Sequence, residues 1–151
     1  MEKTKGMAGV RLDEVELMEA WSEENEDVRA EFDFPITAAT GTTSCSVIYY
    51  VIPPGHRTPT HVHSCEEIQG IIEGITEVTV GDETQKWEAE ALVVVPAMTK
   101  HTLKNVGDTP LRVVGFFSSA AAIHTYDDTL QPFDTNLLVT PEPEALLAPF
   151  Q

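Results

Sequence analysis

The chain has 151 residues, a length that suits one domain with a single hydrophobic core. Its 42% hydrophobic content is ordinary for a globular protein, but 25 Asp and Glu against nine Lys and Arg give a formal net charge of −16. Such a charge repels the phosphates of nucleic acids and anionic lipid headgroups. We therefore expect neither nucleic acid nor a membrane as a partner.

Cysteine usage and the N-terminus bear on the compartment. Cys45 and Cys65 are too few for a secreted disulfide scaffold. The N-terminus lacks the apolar core of a signal peptide, and no apolar run approaches the ~20 residues of a membrane span. These features predict reduced thiols and a cytoplasmic protein.

The N-terminal region is strongly acidic. Residues 11–33 contain ten acidic residues and two arginines, so we predict that residues 1–33 form a leader and a solvated acidic arm. Hydrophobic residues recur every third position from Leu12 to Trp21, which is typical of an amphipathic helix. The alternation of Val15 and Leu17 within the same stretch indicates a strand instead, and both interpretations stay open.

Short segments rich in β-branched residues, each bounded by turn residues, follow between residues 34 and 118. The predicted strands are 46–52, 66–72, 76–80, 84–88, 92–95, 101–105 and 111–117. Many short strands at this spacing predict an all-β sandwich or barrel. We expect a short helix at 120–122, within a C-terminal extension (119–151) that packs on the barrel or on a partner subunit.

The segment GHRTPTHVHSCEEIQGIIEG holds His61, His63 and Glu67. In a strand, side chains at 61, 63, 65 and 67 share one face, whereas on a helix His61 would point about 200° away from His63. Two imidazoles and a carboxylate on one face are typical of a metal site, and His101 is the predicted fourth ligand. A metal-free hydrogen-bonded cluster is the alternative, which the cost of burying these groups disfavours.

These residues resemble the cupin superfamily. Its first motif reads G-x5-H-x-H-x3-E-x6-G, and Gly55 and Gly74 complete that pattern around the first three ligands. The resemblance implies a double-stranded β-helix, or jelly-roll, barrel at residues 34–118. Short extensions precede and follow this barrel. The resemblance also implies a homodimer. In motif and size, the chain resembles the small single-domain, quercetinase-like cupins.

The second cupin motif reads G-x5-P-x-G-x2-H-x3-N. Pro96, His101 and Asn105 match it, whereas Glu90 and Met98 stand where the motif has glycines. Those glycines resemble turn residues, so the departures put the shape of the loops in question rather than the metal ligands.

The ligand set favours one divalent ion, either Fe, Mn, Ni, Co or Zn. Four protein ligands leave two positions of an octahedral ion for water, dioxygen or a chelating substrate. Glu67 is also a candidate catalytic base. Cys65 has the parity of the ligands, so it is either a neighbour of the metal or a packed small residue.

Strand parity predicts the substrate pocket as well. Residues that share parity with the ligands, and aromatic residues on nearby strands, are the candidate walls. They are Gln69, Ile71, Leu103, Tyr49 and Phe116. His56 and His124 lie outside the motifs and are predicted to be exposed or structural.

These observations favour a metal-dependent enzyme that acts on a small chelating organic substrate, with a dioxygenase-type oxidoreductase as the first interpretation. A redox-neutral isomerase, lyase or cyclase is the second, and a non-catalytic ligand-binding cupin is the third. With nine Lys and Arg in all, no basic cluster for a sugar phosphate is evident.

Overall fold

Antiparallel β-structure dominates the computed structural model, which describes residues 6–141. The strands are β1 (Met18–Ser22), β2 (Arg29–Ile36), β3 (Ser46–Ile52), β4 (His61–His63), β5 (Glu67–Glu73), β6 (Ile75–Val80), β7 (Glu83–Glu88), β8 (Leu92–Val95), β9 (His101–Asn105), β10 (Leu111–Phe117), β11 (Ala122–Gln131) and β12 (Thr135–Thr140). Two short 3-10 turns, Leu12–Glu14 and Ala38–Thr40, complete the elements. Among the described residues, no helix has the length and apolar character that crossing a membrane requires.

The strands form a single curled sheet. Their order is β7-β6-β9-β4-β11-β1-β2-β3-β10-β5-β8, and β12 pairs with β11. Every pairing between named strands is antiparallel, as expected for a jelly-roll barrel. The prediction of an all-β barrel is confirmed, and each of the seven predicted strands is present with its ends shifted by at most one residue.

The hydrophobic core forms where the inward faces of the strands meet. Tyr50 lies opposite Val113 on β10, and Ile52 lies opposite Leu111, all four being at most 5% exposed. Burial of each such side chain contributes roughly 1.5–3 kcal/mol.

Strands of the same sheet lie beyond both borders of the predicted 34–118 domain. Strand β1 (Met18–Ser22) pairs with β2 and β11. The stretch from Leu12 to Trp21, for which both a helix and a strand were considered, therefore ends as a strand. The helix predicted at 120–122 was wrong, because the chain bends there and enters Ala122–Gln131. That strand pairs with β4 and β1 inside the sheet. The predicted tail beyond residue 141 lies outside the described residues.

Residues 61–67 do not form one strand, which corrects the sequence prediction. The chain bends at Ser64 and Cys65, and then β5 begins at Glu67. Strand β4 pairs with β9 and β11, whereas β5 pairs with β10 and β8. The bend therefore moves the chain from one part of the sheet to another between the second histidine and the glutamate.

Asn105 ties the end of β9 to the following turn. Its Nδ2 donates to the carbonyl oxygens of Ile52 and Thr109, both at 2.8 Å, and its Oδ1 accepts from the Gly107 amide at 3.0 Å. A buried amide with three bonds to the backbone fixes this loop, which gives a physical reason for asparagine at this motif position.

The two motif departures occupy left-handed backbone. Glu90 has φ of 77° and Met98 has φ of 58°, conformations that glycine adopts at little cost and other residues do not. The backbone therefore keeps the geometry of a glycine turn while the side chains differ. The amide of Met98 donates to the carbonyl of His63 at 2.8 Å, which links this turn to β4.

We predict that Met98→Gly and Glu90→Gly each raise the free energy of unfolding. The expected gain is roughly 0.5–1 kcal/mol. Glycine relieves the strain of the left-handed backbone, and this gain exceeds the cost of the greater conformational entropy that glycine gives the unfolded chain. Urea denaturation measures it. Gly74→Ala is the opposite control, since Gly74 has φ of 99° and a Cβ there would lie 3.1 Å from the Pro110 carbonyl oxygen. Loss of stability in both glycine variants would contradict the prediction.

Candidate metal centre

Three strands bring the predicted ligands together in the barrel interior. His61 and His63 lie on β4, His101 begins β9 directly opposite His61, and all three are buried. One ring nitrogen from each lies within 4.8 Å of the others, so the three histidines could hold a metal ion. The Glu67 Oε1 atom lies 3.3 Å from Nε2 of His63 and 3.6 Å from Nε2 of His101.

Backbone carbonyls orient two of the rings. Nδ1 of His61 lies 2.7 Å from the Pro59 carbonyl oxygen, and Nδ1 of His101 lies 2.9 Å from the Thr99 carbonyl oxygen. A carbonyl can only accept, so each Nδ1 carries the proton and each neutral ring keeps its lone pair on Nε2. Both carbonyls lie two residues before their histidine.

The arrangement matches what a divalent cation requires. Nε2 of His101 lies 3.1 Å from Nε2 of His63, and the Glu67 carboxylate lies beside both. Lone pairs and a carboxylate that converge in a buried space repel one another unless a cation or a proton lies between them. Three imidazoles and one carboxylate suit Fe, Mn, Ni, Co or Zn, so the residues present fit the implied ion.

The pKa values of the cluster reflect burial. Burial lowers the pKa of His61 well below its ordinary value, and it lowers the pKa of His63 against the opposing effect of Glu67. Burial raises the pKa of the Glu67 carboxyl, but the neighbouring imidazoles of His101 and His63 outweigh it, and the pKa is lowered to about 2. Neutral imidazoles and an ionised carboxylate are the protonation states that metal binding needs.

A glycine makes room for the carboxylate. A Cβ atom on Gly115 would lie 2.2 Å from the Glu67 Oε2 atom and 2.7 Å from Cγ2 of Ile48. Gly115 lies on β10, next to Gln69 of β5, so the close approach is built into the sheet. Any side chain at this position would displace Glu67.

Gln69 supports the carboxylate instead of facing a substrate. It is 1% exposed, and its Nε2 donates to Glu67 Oε1 at 3.2 Å. Its Oε1 has no hydrogen-bond partner among the described residues. The side chain therefore contacts the same carboxylate oxygen that faces His63 and His101.

A largely apolar cavity adjoins the cluster. Its lining residues come from β1, β2, β3, β10 and β11 and from the segment around β4. They are Ala20, Val28, Ala30, Phe32, Ile48, Tyr50, Thr58, Pro59, His61, His63, Glu67, Phe117, His124, Tyr126 and Leu130.

None of the five predicted pocket residues lines this cavity, although the three chosen by parity, Gln69, Ile71 and Leu103, are buried as parity predicted. Ile71 and Leu103 belong to the hydrophobic core. Phe116 is 48% exposed, and Tyr49 is buried with its hydroxyl 2.7 Å from Nε of Arg112. On β3 and β10 the inward positions are one residue further along, so Tyr50 and Phe117 line the cavity instead.

Sequence reasoning missed the contribution of β11. His124, predicted to be exposed or structural, is 0% exposed, and its Nδ1 lies 2.7 Å from Nδ1 of His63. Tyr126 follows at strand spacing, with its ring centroid 5.3 Å from that of His61. The alternation of inward-facing and outward-facing positions from residue 122 to residue 130 is the signal that could have identified this strand. Cys65 is half-buried and lies outside the three-histidine cluster.

We predict that Gly115→Ala weakens metal binding about tenfold or more, because the new methyl displaces the Glu67 carboxylate. The measurement is the dissociation constant for Zn(II) or Co(II) by competition with a chromophoric chelator. Gly70→Ala is the matched control, since its Cβ would make ordinary contacts of 3.5 and 3.6 Å with Leu92 and Val114. Equal affinity of the two variants would show that Gly115 does not position the carboxylate.

The chelator-treated protein should lose stability as the pH falls below 6.5. Burial lowers the pKa of His61 and His63, and that of His124 to about 3, so the unfolded chain binds more protons there than the folded one. Each such histidine contributes a slope of about 1.4 kcal/mol per pH unit between its unfolded and folded pKa. Urea denaturation from pH 7.5 to 5 measures it, and a flat profile would contradict buried neutral imidazoles.

Comparison with known proteins agrees with this architecture. A family model described as "Cupin domain" matches residues 48–117, which include all four candidate ligands. The polyketide synthase CurC of Streptomyces cyaneus is 33% identical over 88 residues, covering 58% of this chain and 56% of that protein. The chain spans about half the length of the curated relatives it matches.

Solved structures show the same fold at low identity. The polyketide cyclase RemF of Streptomyces resistomycificus has a TM-score of 0.61 at 17% identity, with 74% of this chain and 79% of that chain covered. An oxalate decarboxylase of Lactobacillus farciminis, in a formate complex, has a TM-score of 0.59 at 23% identity, with 69% and 31% covered. The matched family model, the barrel and the spacing of both motifs together show that residues 48–117 of the chain match a cupin domain and have the cupin fold.

Proposed function

We propose that this cupin is a metal-dependent enzyme that acts on a small, carbon-rich substrate with chelating oxygen atoms. The observation that carries the proposal is the apolar cavity that opens directly onto the cluster of histidines and Glu67. A substrate in this cavity would lie against His61 and His63.

The cavity walls select the substrate class. Among the residues that line it, no Lys or Arg is present, and Glu67 is the sole carboxylate. Apolar walls favour a flat hydrocarbon or aromatic body, while the absence of cationic side chains in the lining disfavours phosphates and other polyanions. Catechols, enediols and β-diketones combine an apolar body with two adjacent oxygens that can chelate.

Two phenols add hydrogen-bonding capacity at the same wall. Tyr50 and Tyr126 both line the cavity. Burial, reinforced by the charge of Glu67, raises the pKa of both phenols, so they stay protonated and can donate. Buried tyrosine hydroxyls usually have a partner, and a substrate oxygen would supply one.

Oxidoreductase chemistry of the dioxygenase type is the first candidate. A bound divalent ion would supply Lewis acidity for the substrate oxygens, and redox chemistry with dioxygen if it is Fe or Mn. The described lining offers no carboxylate or histidine outside the cluster and its neighbour His124. Oxidation of a chelated enolate needs little further acid–base help, whereas proton abstraction would depend on Glu67 as the base.

A cyclase is the second candidate, and a separate observation favours it. The chain is 33% identical to the polyketide synthase CurC over 88 residues. Polyketide intermediates carry repeated keto and enol oxygens, which fit the same cavity chemistry. Ring closure of such a substrate is redox-neutral and consumes no oxygen.

Oxygen uptake separates the two candidates. Protein reconstituted with Fe(II), Mn(II), Ni(II), Co(II) or Zn(II) is mixed with a panel of catechols and β-diketones, in air and under argon. Turnover that consumes oxygen stoichiometrically supports the dioxygenase, whereas equal turnover under argon supports the cyclase. Saturable binding with no turnover in either atmosphere would contradict both and leave a ligand-binding cupin. His101→Ala is the metal-site control.

We predict that Tyr126→Phe lowers kcat/KM at least about tenfold toward the active substrate, since a hydrogen bond to a charged oxygen contributes about 1.5–3 kcal/mol. Metal affinity should be unchanged. Tyr49→Phe is the matched control, because Tyr49 bonds Arg112 and does not line the cavity. Equal kinetics in both variants would remove the phenol from the substrate site.

A further inference from the structure

The three histidines of the metal centre differ in what orients them. His61 and His101 each direct Nδ1 at a backbone carbonyl, whereas Nδ1 of His63 faces a side chain, the Nδ1 atom of His124, at 2.7 Å. A carbonyl fixes the tautomer of its histidine in every circumstance. A second imidazole can either donate or accept, so the tautomer of His63 depends on that of its partner.

His124 has one further polar contact, which its other ring nitrogen makes. Its Nε2 lies 2.7 Å from the Thr140 hydroxyl on β12. The rest of its surroundings are apolar, with the ring centroids of Phe34 and Phe117 at 5.1 and 5.2 Å. In this dry setting both ring nitrogens of His124 are satisfied by the two contacts alone.

We propose that His124 is a positioning residue that holds His63 in the tautomer able to bind metal. Binding through Nε2 of His63 requires the proton on Nδ1, which then donates to Nδ1 of His124. His124 must therefore carry its own proton on Nε2 and donate it to the Thr140 hydroxyl. The series His63–His124–Thr140 thus extends the metal centre to β12, and it rests on the proposed metal site.

The magnitude follows from how such outer partners act. A hydrogen-bonded partner fixes the ring orientation and raises the basicity of a ligating imidazole, and its loss commonly weakens metal binding 10- to 100-fold. Pro59 and Thr99 serve His61 and His101 through the backbone, so substitution there leaves the carbonyls in place. Among the described hydrogen-bond partners of the three histidine Nδ1 atoms, His124 is the one that a side-chain substitution can remove.

Two substitutions of His124 separate positioning from packing. Asn places an amide oxygen near the position of Nδ1 and can accept from His63, whereas Leu has a similar volume and cannot. We expect Zn(II) and Co(II) affinity to fall 10- to 100-fold in His124→Leu and to stay within a few-fold of wild type in His124→Asn. Affinity is measured by chelator competition, and the visible spectrum of the Co(II) protein reports the ligand geometry.

The wild-type protein gives a test that does not depend on folding of a variant. Long-range proton–nitrogen NMR of the Zn(II)-loaded protein distinguishes the two neutral tautomers of each histidine. We expect the proton of His63 on Nδ1 and that of His124 on Nε2. A proton on Nδ1 of His124, or equal affinity of the Leu variant and wild type, would overturn the positioning role while leaving the metal centre intact. Failure of the wild-type protein to bind either metal would overturn the centre and the role together.

Discussion

The convergence of lone pairs at the barrel interior is the constraint on which the site depends. The carbonyls of Pro59 and Thr99 accept hydrogen bonds from Nδ1 of His61 and His101, so both rings keep their lone pair on Nε2, and Nε2 of His101 lies 3.6 Å from the Glu67 carboxylate. Without a cation, this buried arrangement is electrostatically unfavourable. Gly115 adds to it by admitting the carboxylate where any side chain would exclude it. The barrel therefore holds a set of groups that could together bind a metal ion.

The short-range part of this site could be read from the sequence, and the long-range part could not. Spacing within the two motifs predicted that His61, His63, Glu67 and His101 lie together, and β-branched runs located the strands, because both signals lie within a few residues. The bend between His63 and Glu67 separates β4 from β5, which pair with different strands. Strand parity cannot predict such a bend. The faces of β3 and β10 depend on pairing across the sheet, which is why Tyr49 and Phe116 were predicted for a cavity that their neighbours line.

The charge of the chain and the chemistry of the cavity act together. A net charge of −16 raises the local concentration of divalent cations around the protein and repels anions from it. Inside the cavity, the single carboxylate is Glu67, and the two phenols keep their protons. A neutral, carbon-rich molecule that ionises only when its oxygens are held at the site would meet no repulsion on entry. This agrees with a chelating enol or catechol better than with a phosphorylated sugar.

Elemental analysis of the protein purified without a tag or chelator, beside His101→Ala prepared identically, tests the central claim most directly. We expect a near-stoichiometric first-row divalent metal in the wild-type protein and little in the variant, since loss of one imidazole opens the cluster that Glu67, His61 and His63 complete. Absence of metal from both proteins, even after reconstitution with Fe(II), Mn(II), Ni(II), Co(II) and Zn(II), would contradict the account.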